Sequence, residues 1–196
     1  PESCQEVLPL WDPQSRLAIT ADARLDNREE LIQQLGLAPL PPLSISDSFL
    51  ILKAYQRWGE RCLEHFLGDF AFALWDEANQ VMFCGRDPMG AKPLCYYRSG
   101  KSFIFASEVK AILAWPEVPR ELDEMRIAQH LCAVLEEKER TYYRAVVRLP
   151  AAHGLLVYSD GQRQWRYWQP SIKTELRLGS DQAYAEAFHA LFTEAV

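Results

Sequence analysis

The chain has 196 residues, which is enough for one domain or for one domain and the start of another. Its apolar residues make up 48% and can fill a large core, while a net charge of −6 argues against a general nucleic-acid-binding protein. No run of about 18 apolar residues and no signal peptide are visible, so we expect no membrane contact and a cytoplasmic location. The five cysteines form no C-x-x-C pair, which is typical of free thiols and predicts no metal site.

Hydrophobic periodicity and turn residues divide the first third of the chain into short elements. They predict a strand at 16–21, a helix capped by Asn27 and closed by Gly36, a helix capped by Ser46 and closed by Gly59, and a short helix at 61–67.

Residues 70–113 carry the clearest strand pattern in the chain. Phe70, Phe72 and Leu74 alternate with smaller residues, and apolar runs follow at 81–84, 94–97 and 102–106. The hexapeptide GRDPMG at 85–90 predicts a tight connection, because glycine permits positive φ and proline fixes φ near about −65°. We predict one antiparallel meander that leads into a helix capped by Ser107.

The last third of the chain predicts two helices and a hairpin. A helix begins at Asp123, strands at 154–158 and 164–168 flank the turn Asp160-Gly161, and Ser180 caps a final helix. We interpret Trp165, Tyr167 and Trp168 as an edge that packs against a second domain.

Several segments together resemble one known family. The sequences GRDPMGAKPLCYY (85–97) and FASEVKAIL (105–113) are closely similar to a signature of glutamine-hydrolysing asparagine synthetases. Further matches are LDNREEL (25–31), SDSFLILKAYQRWG (46–59), LGDFAFALWD (67–76) and RLPAAHGLLVYSDGQ (148–162). The resemblance implies a type 2 glutamine amidotransferase domain with the α+β, four-layer αββα fold of N-terminal-nucleophile (Ntn) hydrolases, built on two packed antiparallel sheets.

The resemblance also implies a domain division. Residues 1–170 match the amidotransferase domain, and residues 171–196 match the linker and first helix of an asparagine-synthase-type ATP pyrophosphatase domain. The family's N-terminal segment and its glycine-rich nucleotide loop are both absent from these residues, so we expect a chain truncated at both ends, with the fold incomplete at its N-terminus. ATP and Mg²⁺ are expected for the parent protein, and no cofactor for this chain.

The catalytic machinery of the family has no clear match here. Its nucleophile is an N-terminal cysteine whose α-amino group serves as the base. This chain starts with Pro1, and the sequence after Cys4 does not resemble the family's start, so we predict no catalytic nucleophile. The family's Asn-Gly-Glu oxyanion segment aligns with Asp22, Ala23 and Arg24. An ionised carboxylate at Asp22 has no N–H to donate and opposes an oxyanion, although Ala23 keeps its backbone N–H.

Arg24 and three further residues lie in segments that, by the resemblance, the family uses to bind glutamine. Asp47 matches the aspartate that holds the substrate's α-amino group, and Arg24 alters the charge that faces the ligand; alternatively, Asp47 is a favourable charge in the first turn of a helix. Arg86 and Asp87 either line the glutamine pocket or the ammonia route, or they brace the Pro-Gly turn. We interpret Lys92 as bracing the fold.

Three functional hypotheses remain open. In the first, the parent activates a carboxylate with ATP and ammonia attacks the adenylate, while this fragment lacks glutaminase activity. In the second, the domain is a glutaminase-dead scaffold of a β-lactam-synthetase-like or lasso-peptide-cyclase-like enzyme, in which an internal amine attacks. In the third, the chain is a non-catalytic binding module. The implied partners are glutamine or another small molecule and a synthetase domain in cis.

Association of the fragment is a separate expectation. If N-terminal strands are missing, Phe70 and Phe72 lose their cover, and the apolar face of the last helix, with Phe188, Leu191 and Phe192, has no domain to pack on. We therefore expect self-association.

Overall fold

A computed structural model describes residues 6–37, 45–100, 102–134, 138–171 and 175–195. Its nine described strands are β1 (Leu10–Asp12), β2 (Leu17–Leu25), β3 (Gly68–Asp76), β4 (Val81–Arg86), β5 (Cys95–Arg98), β6 (Phe103–Ala106), β7 (Val146–Arg148), β8 (His153–Val157) and β9 (Gln162–Arg166). The described helices are α1 (Arg28–Gln34), α2 (Asp47–Trp58), a 3₁₀ helix (Gly59–His65), α3 (Val109–Leu113), α4 (Glu124–Leu131) and α5 (Asp181–Ala195).

The strands form two antiparallel sheets. The large sheet has the order β1-β2-β3-β4-β8-β9 and the small sheet has the order β6-β5-β7. The predicted single meander over residues 70–106 is therefore wrong, because β3 and β4 lie in the large sheet while β5 and β6 lie in the small one. The GRDPMG segment and the residues up to Leu94 carry the chain from one sheet to the other.

Strand β2 is longer than the sequence predicts. The alternating pattern ends near residue 21, but β2 continues to Leu25 because all nine of its residues pair with β3, from Leu17 opposite Asp76 to Leu25 opposite Gly68. The segment Asp22-Ala23-Arg24 consequently lies within a strand.

Side-chain alternation creates three apolar layers. The first, here called the helix-side core, joins one face of the large sheet to α1, α2 and the 3₁₀ helix. The second, the inter-sheet core, contains Ala71, Ala73, Cys84 and Leu155 of the large sheet. It also contains Tyr96 of β5 in the small sheet, with Leu94 and Leu149 next to strands of that sheet. The third, the outer core, places α3 on the other face of the small sheet through Ile112, Cys95 and Val146. Helices, large sheet, small sheet and α3 thus form four layers.

Phe70 and Phe72 are fully buried in the helix-side core, with 0% and 1% of their surface exposed. The expectation that they lie uncovered is wrong, because α2 and the 3₁₀ helix cover that face of the sheet. The apolar residues of α5 are exposed, as predicted, including Phe188, Leu191 and Phe192. Self-association stays a prediction that now depends on α5 alone.

The cysteines are distributed over these layers. Cys62 is buried in the helix-side core, Cys84 in the inter-sheet core and Cys95 in the outer core, whereas Cys132 is exposed. Burial raises the pKa of the Cys62, Cys84 and Cys95 thiols. Cys4 lies outside the described residues.

The structure confirms the predicted cap of α2 and differs from the predicted caps at Ser107 and Asn27. The Ser46 hydroxyl does accept the Phe49 N–H at 3.2 Å, which confirms the cap of α2. The helix predicted to start at Ser107 instead begins at Val109, with Glu108 as its N-cap.

Asn27 precedes α1 as predicted, but its side chain makes no capping hydrogen bond. It instead donates to the His65 carbonyl at 2.9 Å and accepts the Leu67 N–H at 3.1 Å, so it connects α1 to the start of β3.

Three aromatic residues lie in and directly after β9. Trp165 stacks on Phe83 with ring centroids 6.1 Å apart, and the Tyr167 hydroxyl donates to the Arg86 carbonyl at 2.7 Å. Both therefore contact the helix-side core while remaining partly exposed, and Trp168 is exposed. That these residues form an edge for a second domain stays a prediction.

The inter-sheet space has two ends. At the end called here the crossover end, residues 86–94 pass between the sheets, and Asp22, Ala71 and Arg86 lie side by side on β2, β3 and β4. At the opposite end, called the turn end, lie the connections that follow β3, β5 and β8. In the described part of the chain, no helix has the length and apolar character needed to span a membrane.

Candidate functional site

The crossover end brings Asp22 together with Lys92. The Lys92 ammonium lies 2.7 Å from an Asp22 carboxylate oxygen, and the two side chains are 32% and 56% exposed. Lys92 belongs to the segment that crosses between the sheets, so the ion pair connects β2 to this segment. Beside it, a cavity of about 210 Å³ lies between the sheets, lined by Thr20, Asp22, Ala71, Ala73, Phe105 and Ser107 among others.

The orientation of β2 separates the three residues of the predicted oxyanion segment. Ala23 packs on the helix-side core, and by alternation the Asp22 and Arg24 side chains lie on the inter-sheet face. The Leu25 N–H points away from β3, towards Asp47, and because N–H direction alternates along a strand, the Ala23 N–H points to the same edge.

Asp47 is held by residues from β2 and α1. It is the first residue of α2, one carboxylate oxygen accepts the Leu25 N–H at 3.1 Å, and the other pairs with the Arg28 guanidinium. Arg28 also donates to the Ile45 carbonyl. This arrangement connects α1, β2 and α2, and it neutralises the charge that a substrate ammonium group would require.

Arg24 is mostly exposed. Its guanidinium forms an ion pair with Asp26 at 3.0 Å, and 71% of its side-chain surface is open to solvent. The hydrogen bond and charge of Asp26 raise the pKa of Arg24, which therefore remains a cation.

Arg86 makes three hydrogen bonds to the crossover segment and its surroundings. Its guanidinium donates to the carbonyls of Lys92 at 2.7 Å, Leu149 at 2.6 Å and Gly90 at 2.7 Å. Gly90 has a φ of +69°, and an added Cβ would lie 3.1 Å from the Arg86 guanidinium, so a larger residue would be strained there. Burial lowers the pKa of Arg86.

Asp87 is completely buried and accepts three backbone N–H groups. Its carboxylate receives those of Met89 at 3.1 Å, Ala91 at 2.9 Å and Lys92 at 2.9 Å. These three N–H groups occupy most of the roughly four acceptor sites of the Asp87 carboxylate. The contacts of Arg86 and Asp87 therefore favour the interpretation that they brace the turn over the interpretation that they line a pocket.

Two partners were not found from the sequence. Arg28 as the partner of Asp47 and Lys92 as the partner of Asp22 come from distant segments, and no spacing rule links them. Among the described residues, no group of three or more His, Cys, Asp or Glu side chains is arranged to hold a metal ion.

Comparison with known proteins adds to this geometry. The family model described as "glutamine amidotransferase domain" matches residues 4–168. The chain belongs to this family. The fold prediction is also confirmed: the four layers are those of an Ntn hydrolase, and glutamine phosphoribosylpyrophosphate amidotransferase from Bacillus subtilis matches with a TM-score of 0.56 at 20% identity, over 85% of this chain and 33% of that one.

Of three curated relatives of this amidotransferase domain, two carry the name asparagine synthetase and one is named an amidase. Asparagine synthetase [glutamine-hydrolyzing] 3 of B. subtilis is 32% identical over 91% of this chain and 29% of its own length. The putative asparagine synthetase [glutamine-hydrolyzing] 2 of Methanocaldococcus jannaschii is 34% identical over 63% of this chain and 25% of its own length. Amidase chyE of Penicillium rubens is 26% identical over 82% of this chain and 23% of its own length. The chain spans less than a third of the length of each relative.

Proposed function

We propose that this domain is part of an ATP-dependent, amide-forming ligase of the asparagine synthetase type, and that it does not itself hydrolyse glutamine. The names of the relatives support the ligase, in which a carboxylate is adenylated and then attacked by ammonia. Residues 171–196 would then be the linker and first helix of the ATP pyrophosphatase domain. Residues 1–196 contain no glycine-rich phosphate loop, so we assign no step of ATP or Mg²⁺ chemistry to them.

The ion pair between Asp22 and Lys92 is the observation that carries the second part of the proposal. Glutamine hydrolysis builds negative charge on a carbonyl oxygen, which N–H donors must stabilise. At Asp22 an ionised carboxylate stands in place of an amide, and Lys92 is bound to that carboxylate. Loss of one oxyanion donor lowers turnover by about 100- to 1000-fold in known hydrolases, and the repulsion from Asp22 adds to that loss.

Asp47 and Arg24 support the same proposal. The Arg28 guanidinium already neutralises Asp47, so the substrate's α-amino group would have to displace an internal ion pair. Arg24 places a cation where the family has an acidic residue. A glutamine molecule would therefore meet a neutralised charge at Asp47 and a reversed charge at Arg24.

Ammonia release from glutamine tests the glutaminase part. We expect the protein to release ammonia no faster than a buffer control. We also expect ammonia release by Asp22→Asn to stay below the detection limit, because restoring one amide does not restore the missing nucleophile. Release above buffer that Cys4→Ala abolishes would contradict the proposal.

The nitrogen donor of the complete gene product tests the ligase part. With ATP, Mg²⁺ and a carboxylate substrate, we expect amide formation with ammonium but not with glutamine. A product formed with glutamine as efficiently as with ammonium would refute glutaminase loss, and the absence of ATP turnover would favour a binding module.

The scaffold alternative makes a different prediction for the same experiment. The Asp22–Lys92 pair is equally suited to a domain of a β-lactam-synthetase-like or lasso-peptide-cyclase-like enzyme, since an internal amine needs no ammonia. In that case the product forms in the absence of both ammonium and glutamine.

A further inference from the structure

A second cavity lies at the turn end of the inter-sheet space, opposite the crossover end. It has a volume of about 410 Å³, and its walls include Trp75, Met82, Arg98, Phe103, Val157 and Tyr158. Pockets of about 300–1,000 Å³ are the usual size for small-molecule sites. Strands of both sheets contribute to its lining, together with the turns that follow β3, β5 and β8.

Strand alternation explains why an aromatic ring and a cation meet there. Ala71 and Ala73 belong to the inter-sheet core, so Trp75 lies on the same face of β3. Tyr96 also belongs to that core, which places Arg98 on the same face of β5. The two faces are opposed, and Trp75 and Arg98 therefore lie on facing walls of one space.

The apolar part of this cavity is aromatic on both walls. Phe103 contacts the inter-sheet core and is tilted against Tyr96, with ring centroids 5.6 Å apart. Trp75 is partly exposed and Tyr158 is 39% exposed, so part of each ring surface is accessible to a ligand. Aromatic walls that are partly open to solvent favour a flat ring as the ligand.

The charge of the cavity is opposite to that of the chain. The chain carries a net charge of −6, yet no Asp or Glu is among the described residues that line the cavity. Within the described chain, Arg98 forms no ion pair, and its one hydrogen bond, to the Tyr158 carbonyl, is long at 3.4 Å. A guanidinium has five N–H donors, so most of those of Arg98 remain available to an anion.

We propose that the turn-end cavity binds a small molecule with a planar aromatic ring and an anionic group. The ring packs between Trp75 and Phe103, and the anionic group accepts hydrogen bonds from Arg98. A carboxylate and a phosphate ester both fit this chemistry, because either forms a paired, charge-assisted contact with a guanidinium.

Calorimetric titration of the protein with matched probes tests this proposal. Indole-3-carboxylate is expected to bind saturably, and indole-3-carboxamide, which has the same ring without the charge, about tenfold or more weakly. Arg98→Met is expected to weaken carboxylate binding to the level of the carboxamide. Phenyl phosphate in the same titration distinguishes a phosphate ligand from a carboxylate ligand.

Two controls separate binding from folding. Asp22→Asn changes the crossover end and is expected to leave probe binding unchanged, and the thermal melt of Arg98→Met is expected to match the wild type because Arg98 makes one weak contact. Equal binding of carboxylate and carboxamide, an unchanged affinity in Arg98→Met, or no saturable binding at millimolar probe would overturn the proposal. None of these results bears on glutaminase activity, which is tested separately.

Discussion

The two ends of the inter-sheet space use their polar groups in opposite ways. At the crossover end, Arg86 donates to three carbonyls, Asp87 accepts three N–H groups, and Asp22 pairs with Lys92. At the turn end, Arg98 makes one hydrogen bond of 3.4 Å. The most recognisable motif of the sequence, GRDPMG, thus holds the path of the backbone at the crossover end, whereas Arg98 at the turn end, outside the motif, has N–H donors left for a ligand.

The largest expected difference between the ends concerns Gly68. Its φ is +140°, and an added Cβ would lie 2.1 Å from the Arg24 carbonyl oxygen. Gly68→Ala should therefore lower the free energy of unfolding by more than about 3 kcal/mol, because the backbone of both β2 and β3 must shift. Urea denaturation measures this loss.

Gly161 at the turn end is the matched control for Gly68. No heavy atom lies within 4 Å of the position of an added Cβ, so Gly161→Ala should change the free energy of unfolding by less than about 0.5 kcal/mol. Similar losses in the two variants would remove the contrast between the ends.

The second expected effect is at Asp87. Asp87→Asn keeps the shape of the side chain but points an NH₂ group at backbone N–H donors, and we expect a loss of about 2 kcal/mol from a buried, unsatisfied contact. The exposed residue Asp160 provides the control at the turn end, where Asp160→Asn should cost less than about 0.5 kcal/mol. Chemical denaturation that ranks them in the reverse order would show that the crossover segment is not held by Asp87.

The third prediction concerns acid stability at the turn end of β1. Burial opposes ionisation of Asp12, but hydrogen bonds from the Lys53 and Gln56 side chains and from the Gln14 N–H outweigh it and lower the pKa to about 2 from 3.8. Because the pKa is lower in the folded state, this stabilisation is complete above about pH 4 and is lost as the pH falls towards 2. We expect about 1 kcal/mol, allowing for solvent screening.

Asp12→Asn should flatten the pH dependence of the melting temperature between about pH 4 and 2. Glu77, whose ion pair with Arg16 is exposed, is the comparison: Glu77→Gln should leave that slope nearly unchanged. An unchanged slope in Asp12→Asn would mean that its hydrogen bonds do not form.

The smallest expected effect is the coupling between Asp22 and Lys92. A double-mutant cycle with Asp22→Asn and Lys92→Met should give about 0.5 kcal/mol, since Asp22 is 56% exposed and water screens the pair. Added salt should reduce this value. A coupling free energy above about 2 kcal/mol would indicate that the ion pair of Lys92 contributes substantially to the stability of the crossover end.

Part of the fold follows from the sequence because it is local. The alternation of Phe70, Phe72 and Leu74 identifies β3, and the Ser46 hydroxyl identifies the start of α2. The division into two sheets does not follow, since β5 finds its second neighbour in β7, where Cys95 pairs with Arg148. No periodicity within residues 70–113 contains that information.

For the site, the sequence locates the residues but does not predict their contacts. The motifs locate Asp22, Asp47, Arg86 and Asp87, because each lies in a recognisable segment. The contacts of these residues depend on the path of the chain in space. Lys92 reaches Asp22 only because the crossover segment returns over β2, and this follows from tertiary packing rather than from spacing.

The buried cysteines give the molecule an internal set of reporters. Cys62, Cys84 and Cys95 each occupy a different apolar layer. Only a thiolate that reaches solvent reacts with an alkylating reagent, so each of these side chains becomes modified only when its own layer opens. The alkylation rates at the three sites would therefore give the order in which the helix-side, inter-sheet and outer layers separate, without any engineered cysteine.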